Sequence, residues 1–296
     1  MESDLKRVIF DNYGIVIKNI SPLSGGWMNK KYLCEDLTNN KYVIKLFSPQ
    51  KVEKMSKGEF STDYLDNQLA NNLKIENYMH SKKLNCEQII TSKNGRILLP
   101  YDDYRLAVIN YLDGNHVTRE CISNVQLNNL GTECAKMHSL FKNIEQTVYT
   151  GDYLKFPSIV TLFNRYKSKM ENCTDSTCQQ YLDLLFEQKE NLHLLKEANI
   201  INKIPISVIH GDFADDNILF NDNTPKILDF ELVRLNSPLL DIGRIIMSYC
   251  YDNNSLNCDR IKSFMSGYNN ILEIEDSDIY LSFVVVWTNE VDMWIK

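Results

Sequence analysis

The sequence holds eight cysteines in 296 residues but no CxxC pair. Cys34, Cys86, Cys121, Cys134, Cys173, Cys178, Cys250 and Cys258 are scattered, and no histidine joins Cys173 and Cys178 at zinc-finger spacing. That excludes a zinc module and suits free thiols in a reducing compartment. A basic excess is also missing. The formal charge is −7, which argues against a general nucleic-acid surface. No apolar run is long enough to span a bilayer. The longest, near residues 279–287, falls far short of the roughly 20 residues a spanning helix needs. The opening MESDLKRVIF lacks the apolar core of a signal peptide. Internal repeats and low-complexity tracts are absent. The expectation is a cytoplasmic globular protein with no membrane, nucleic-acid or obligate protein partner.

The residues that are present divide the chain in two. Up to residue 112, short β-prone runs (15–20, 31–34, 41–47, 96–99 and 106–112) alternate with turn residues such as DLTNN. One helical pattern, at 69–84, interrupts them. After the Asp113–Gly114 turn the character changes. Residues 125–141 form an amphipathic pattern, and 181–199 and 239–251 are further expected helices. The pattern predicts an α+β protein of two lobes, 1–112 and 113–296.

The densest chemistry lies in VIHGDFADDNILF, residues 208–220, where His210, Asp212, Asp215, Asp216 and Asn217 crowd between two apolar segments. Carboxylates held between segments that bury must meet a cation, a metal or a solvent cleft. The spacing H-x-D-x-x-x-x-N, as His210, Asp212 and Asn217, is that of phosphoryl-transfer catalytic loops. KILDFE follows after the turn NDNTP. A hairpin there would bring Asp229 beside Asn217, and a carboxylate with an amide oxygen suits magnesium bound with nucleotide phosphates. Lys45 sits in YVIKLF with apolar neighbours on both alternating faces, so it is expected to be buried and to need anions. Gly25 and Gly26, in SGGWMN between the first two strands, would let backbone N–H groups approach phosphate.

With these motifs in view, the sequence resembles the aminoglycoside phosphotransferase and choline kinase family, the small-molecule branch of the protein-kinase-like fold. The resemblance runs from about residue 15 to residue 251 and is strongest at HGDFADDN, ILDFE and SPLLDIGR. It implies an antiparallel N-lobe sheet plus helix and a larger, mostly helical C-lobe. It further implies that Asp212 is the catalytic base or orienting carboxylate and that Asn217 and Asp229 hold Mg2+. Lys45 would bind the phosphates of ATP or GTP, and Asn110 and Leu112 would form the linker that meets the base. His210 and Asp241 would fix the loop. The family pairs its strand lysine with a helix glutamate. The aligned place reads Asn71-Asn72 here, so Glu76, one turn later, is the expected substitute.

The acceptor is expected to be small. Only residues 232–236 separate DFE from SPLLD, which leaves no platform for a peptide, and no Ala-Pro-Glu closes the segment. Glu231 replaces the glycine of D-F-G. Asp215, Asp216 and Glu231, together with Glu290 and Asp292 beside Trp287 and Trp294, are candidate contacts for a hydroxylated, cationic substrate. The tail and the loop look like those of aminoglycoside kinases that modify antibiotics. The alternative is a metabolic kinase for choline, homoserine, thiamine or a similar alcohol; a non-catalytic nucleotide-binding pseudokinase is the second class.

Overall fold

The computed structural model describes residues 2–23, 29–48, 62–144, 159–172, 179–197, 204–252 and 254–290. Strands β1 (Ile17–Leu23), β2 (Lys30–Asp36) and β3 (Lys41–Phe47) form an antiparallel meander. β6 (Tyr104–Asn110) pairs with β3, and β4 (Ile89–Ile90) and β5 (Leu99–Tyr101) pair with β6. Asp102, with φ 47°, makes the β5–β6 turn inside the span expected to separate two strands, which shifts both strands by two or three residues. β3 is covered on both faces, which explains its unbroken apolar run around Lys45.

One face of the sheet packs on α1 (Glu2–Tyr13), a helix the periodicity did not single out. Leu5 and Ile9 are its buried residues, and Gly14, with φ 76°, ends it. The other face carries α2 (Thr62–Ser81), which starts seven residues before the expected 69 and stops short of Lys83, whose φ of 66° is left-handed. Asn72 of α2 donates from Nδ2 to the carbonyls of Glu231 and Val233, at 2.8 and 3.0 Å, and ties this helix to the DFE turn.

The C-lobe is built on α3 (Asn124–Phe141), which opens with a capping box between Ser123 and Gln126. The helices α4 (Ile159–Asn172) and α5 (Gln179–Glu197) follow. Then come β7 (Ser207–Ile209), the hairpin β8–β9 (Ile218–Asn221 and Thr224–Ile227) and β10 (Arg234–Asn236). The chain continues through α6 (Pro238–Tyr249), the two-residue strands β11 (Tyr251–Asp252) and β12 (Ser255–Leu256), α7 (Cys258–Tyr268) and α8 (Asp276–Glu290). The expected helices at 125–141, 181–199 and 239–251 all form, each displaced by two residues or fewer at either end. α3 and α7 cross in near backbone contact. A Cβ on Gly267 would lie 1.8 Å from the Asn128 carbonyl oxygen, and one on Gly131 would lie 2.1 Å from that of Phe264. Among the described residues no helix is long and apolar enough to cross a membrane, and the described cysteines are free.

Candidate active site

The catalytic-loop candidate is held from below. His210 is fully buried between Phe213 and Phe230, with ring centroids 5.6 and 4.7 Å away. Its Nε2–H donates to the Leu228 carbonyl at 3.0 Å, and its Nδ1 accepts the Asp212 N–H at 3.3 Å. Burial pushes its pKa below the ordinary histidine value, so a neutral ring with the proton on Nε2 satisfies both bonds. This histidine ties the loop to the DFE strand end. Asp241, near the start of α6, accepts the His210 N–H at 2.9 Å on Oδ2 and the Gly211 N–H at 3.0 Å on Oδ1. His138 Nε2 stands 3.2 Å from the same Oδ2. Burial works against the Asp241 charge, but the bond and charge of His138 and the loop amides outweigh it and hold the carboxyl below its ordinary range. Gly211 must be glycine: its φ is 81°, and a Cβ would lie 2.3 Å from the Leu232 carbonyl oxygen.

That bracing presents Asp212 at the cleft. Asn217 donates from Nδ2 to the Asp212 carbonyl at 2.8 Å and to its Oδ2 at 3.0 Å. The other carboxylate oxygen, Oδ1, receives Arg244 Nη1 at 2.7 Å, and Arg244 Nε is held by Glu290 at 3.0 Å. Arg244 stands three residues after Asp241, one helical turn along α6, so one helix both braces the loop and clamps its carboxylate. Sequence reasoning did not identify Arg244; its signal was this i, i+3 spacing within LLDIGR.

The hairpin does what its turn residues predict. Ile218 pairs with Ile227, and the Leu228 N–H bonds the Asn217 carbonyl at 2.9 Å. Asp229 therefore follows immediately beside Asn217, in a left-handed conformation with φ 70°. Its carboxylate faces Lys45 Nζ at 3.6 Å and Lys31 Nζ at 3.3 Å. Burial alone would raise the Asp229 pKa, but the Lys45 charge, a hydrogen bond with Glu231 and the Lys31 ammonium together drive it well below the usual carboxylate range.

Lys45 is 2% exposed, as its strand context required, yet its partners differ from expectation. Glu87 Oε2 lies 3.2 Å from its Nζ and also accepts the Asp229 N–H at 3.0 Å. Glu87, just before β4, thus joins the strand lysine to the DFE turn, the place expected for Glu76. Glu76 is buried on α2, but it makes no ion pair with Lys45 within 4 Å, and its Oε1 has no hydrogen-bond partner among the described residues. The geometric reason is that β4 enters the sheet beside β6, itself paired with β3, and so delivers Glu87 nearer to Lys45 than the helix delivers Glu76.

Burial, reinforced by the Glu87 charge, pushes the Glu76 carboxyl well above its ordinary value of 4.5. The folded protein therefore keeps a proton that the unfolded chain releases, and the stability from this group falls as pH rises through and above 4.5. Glu76→Gln, which mimics the protonated acid, is expected to match the parent near pH 5. It should gain on the parent by on the order of 1 kcal/mol per pH unit above that, until the folded-state pKa is passed. Urea unfolding midpoints at pH 5, 6.5 and 8 measure this; parallel curves for the two proteins would contradict it.

The remaining candidates are partly gathered and partly not. Glu231 turns inward: Asn29 donates to its Oε2 at 2.6 Å, and Lys45 stands 3.7 Å from its Oε1. Burial and the Asp229 charge push its carboxyl well up. On the 3-10 turn Phe230–Leu232, it belongs to the lysine cluster. Glu290 is engaged by Arg244 and so is not a free acid. Asp215 is half-buried and Asp216 exposed, in a 3-10 turn near Tyr249. Asn110 ends β6 with its N–H bonded to the Gln88 carbonyl at 2.9 Å, so Leu112 is the linker residue whose amide stays free of such a bond among the described residues. Gly25, Gly26 and Asp292 lie outside the described residues. A cavity of about 170 Å³ opens beside this cluster, between Phe47, Leu65 and Leu69 on one side and Glu231 and Arg234 on the other.

The sequence profile of the phosphotransferase enzyme family matches residues 19–257. A homoserine kinase of Afipia carboxidovorans is 21% identical over 208 residues, which cover 70% of this chain and 60% of that protein. The match thus spans under two thirds of that relative's length. Among solved structures, spectinomycin phosphotransferase in complex with ADP and spectinomycin superposes with a TM-score of 0.69 at 15% identity, over 99% of this chain and 88% of that one. An amicoumacin kinase complex with AMP-PNP and Ca2+ gives 0.67 at 15% identity, over 99% and 86%. At this identity the structural likenesses establish the two-lobed kinase-like fold.

Proposed function

The chain belongs to the phosphotransferase enzyme family, and from that premise we propose that it transfers the γ-phosphoryl group of ATP or GTP to a hydroxyl of a small molecule. The observation that carries this is that Asp229, ion-paired with Lys45, stands at the hairpin end beside Asn217, whose side chain bonds Asp212. Residues 1–112 would hold the nucleotide, with Leu112 at the base. Residues 113–296 would hold the acceptor.

The donor set fits a magnesium ion. Asn217 commits its amide hydrogens to Asp212, which leaves its side-chain oxygen without a hydrogen-bond donor among the described residues, and its backbone carbonyl accepts the N–H of Leu228, the residue before Asp229. That side-chain oxygen and the Asp229 carboxylate, both hard, would hold Mg2+, and nucleotide phosphates would complete the shell. When bound, the ion neutralises charge on the transferring phosphates. Lys45 supplies a fixed positive charge to those phosphates, and Glu87 sets its position. Asp212 orients the acceptor hydroxyl and takes its proton late, because the transition state is loose. Asn217 and Arg244 fix the rotamer of Asp212 in advance, so little reorganisation remains at the moment of reaction.

The segment after Asp229 supports a small acceptor. It runs through a 3-10 turn into β10, which pairs with β7, and enters α6 at once. An aminoglycoside-type antibiotic is the first reading, supported by the solved relatives. A second reading has an observation of its own: Glu231 and Glu290, two of the acids assigned to a cationic acceptor, are bound internally. That favours a less highly charged metabolic alcohol, such as homoserine, the substrate named for a curated relative. Free thiols suit the cytoplasm as the place where the reaction runs.

A coupled ADP-release assay over kanamycin, spectinomycin, choline, L-homoserine and thiamine, with casein as a protein control, tests the proposal. Acceptor-stimulated turnover on one small alcohol and none on casein is the expected result. Robust casein phosphorylation would overturn the small-molecule acceptor. Tight magnesium-dependent nucleotide binding with no turnover on any acceptor would favour a pseudokinase.

A further inference from the structure

The antiparallel register of β2 and β3 sets Lys31 directly opposite Lys45, on the same face of the sheet. Both ammoniums reach down to one carboxylate: Lys31 Nζ is 3.3 Å from Asp229 Oδ2, and Lys45 Nζ is 3.6 Å from Asp229 Oδ1. Like charges placed directly across a strand pair destabilise it unless an anion lies between them. Lys45 has Glu87 as a second close partner. Lys31 has no carboxylate but Asp229 within ion-pair distance among the described residues, and its side chain is 23% exposed. Its single partner is therefore the group assigned above to the metal. A cation that takes Asp229 deprives Lys31 of its counter-charge, and the anion that arrives with such a cation is a polyphosphate.

We propose that Lys31 is a second phosphate-binding residue of this site, which exchanges Asp229 for the β- and γ-phosphate oxygens of the nucleotide when the metal–nucleotide complex binds. The inference rests on the phosphotransferase reading and adds a residue that motif spacing did not identify. It also assigns an order to the site. Without nucleotide, two ammoniums compete with a divalent ion for Asp229, so metal alone binds weakly. With nucleotide, the phosphates draw the ammoniums away and the carboxylate becomes available. Removal of Lys31 must then act in opposite directions on the two ligands. A residue that served only the fold would not produce that sign change.

The test uses the full chain and titrates ADP with Mn2+, AMP with Mn2+, and Mn2+ alone, against the parent, Lys31→Met and Lys31→Arg. Mn2+ is followed by its paramagnetic resonance signal. A thermal melt checks that each variant is folded. For Lys31→Met, ADP should bind about tenfold or more weaker, as for a lost charge-assisted contact. AMP should be unchanged, and Mn2+ alone should bind tighter. Lys31→Arg should restore most of the ADP affinity. Unchanged ADP affinity in folded Lys31→Met would overturn the proposal, as would equal losses for ADP and AMP or weaker binding of Mn2+ alone. A parent that binds neither nucleotide would instead remove the phosphotransferase reading on which the proposal stands.

Discussion

Asp212→Ala is expected to lower kcat by roughly 10²–10⁴-fold while ADP binds as in the parent. The separation follows from where the side chain sits. Asp212 bonds Asn217 and Arg244, whereas Lys45, Glu87 and Asp229 form their own cluster. On the proposed function, removing the carboxylate takes away the group that would orient the hydroxyl and leaves the Lys45 and Lys31 ammoniums in place. It also leaves Arg244 with Glu290 as a remaining partner, so no buried charge is stranded and the fold should persist. Single-turnover rates with an acceptor that the parent phosphorylates, together with the ADP dissociation constant, measure the two effects separately. If the dissociation constant moved as far as kcat, Asp212 would be part of the nucleotide site and not the acceptor-activating group.

Asp241→Ala is expected to cost about 3–5 kcal/mol of stability, the largest effect among the residues discussed, and to abolish activity in whatever fraction still folds. The carboxylate is fully buried and satisfies the N–H groups of His210 and Gly211 and the ring of His138. Alanine leaves those donors without partners in the core, where each unsatisfied group costs about 1–3 kcal/mol. Asp241→Asn keeps one carbonyl oxygen and should lose less. The Asp241 carboxyl is held below its ordinary pKa, so its stabilisation is present at neutral pH and is lost as pH falls below 3.8 toward the folded value. Denaturant midpoints for the parent and both variants at pH 7 and at a pH below 3.8 check the size and the sign. A cost under 1 kcal/mol for the alanine variant would mean that another group supports the loop.

Much of the architecture was legible because it depends on local period and turn chemistry. The bounds 41–47 for β3 are the same in both readings, and α3 differs by one residue at its start. The hairpin that carries Asn217 to Asp229 followed from NDNTP between two apolar runs. The helix α1 was not legible, because only Leu5 and Ile9 of its twelve residues are buried and its pattern is too sparse to stand out. The partner of Lys45 was misassigned for a different reason. Glu76 and Glu87 are both acidic residues among apolar neighbours. Which one reaches the lysine depends on β4 pairing with β6, a contact between segments about twenty residues apart that no local pattern encodes.

The sequence by itself determined which residue types meet the cleft. Buried segments tolerate Lys45, Asp212, Asn217 and Asp229 only if these side chains answer one another, and their spacing placed them on a strand, a loop and a hairpin end. Only the tertiary structure decided the pairing. Glu87 in place of Glu76, Lys31 opposite Lys45, and Arg244 on Asp212 each arise where strand register or helix placement brings distant residues together. Electrostatic partnership depends on distance through space, and separation along the chain carries little information about it.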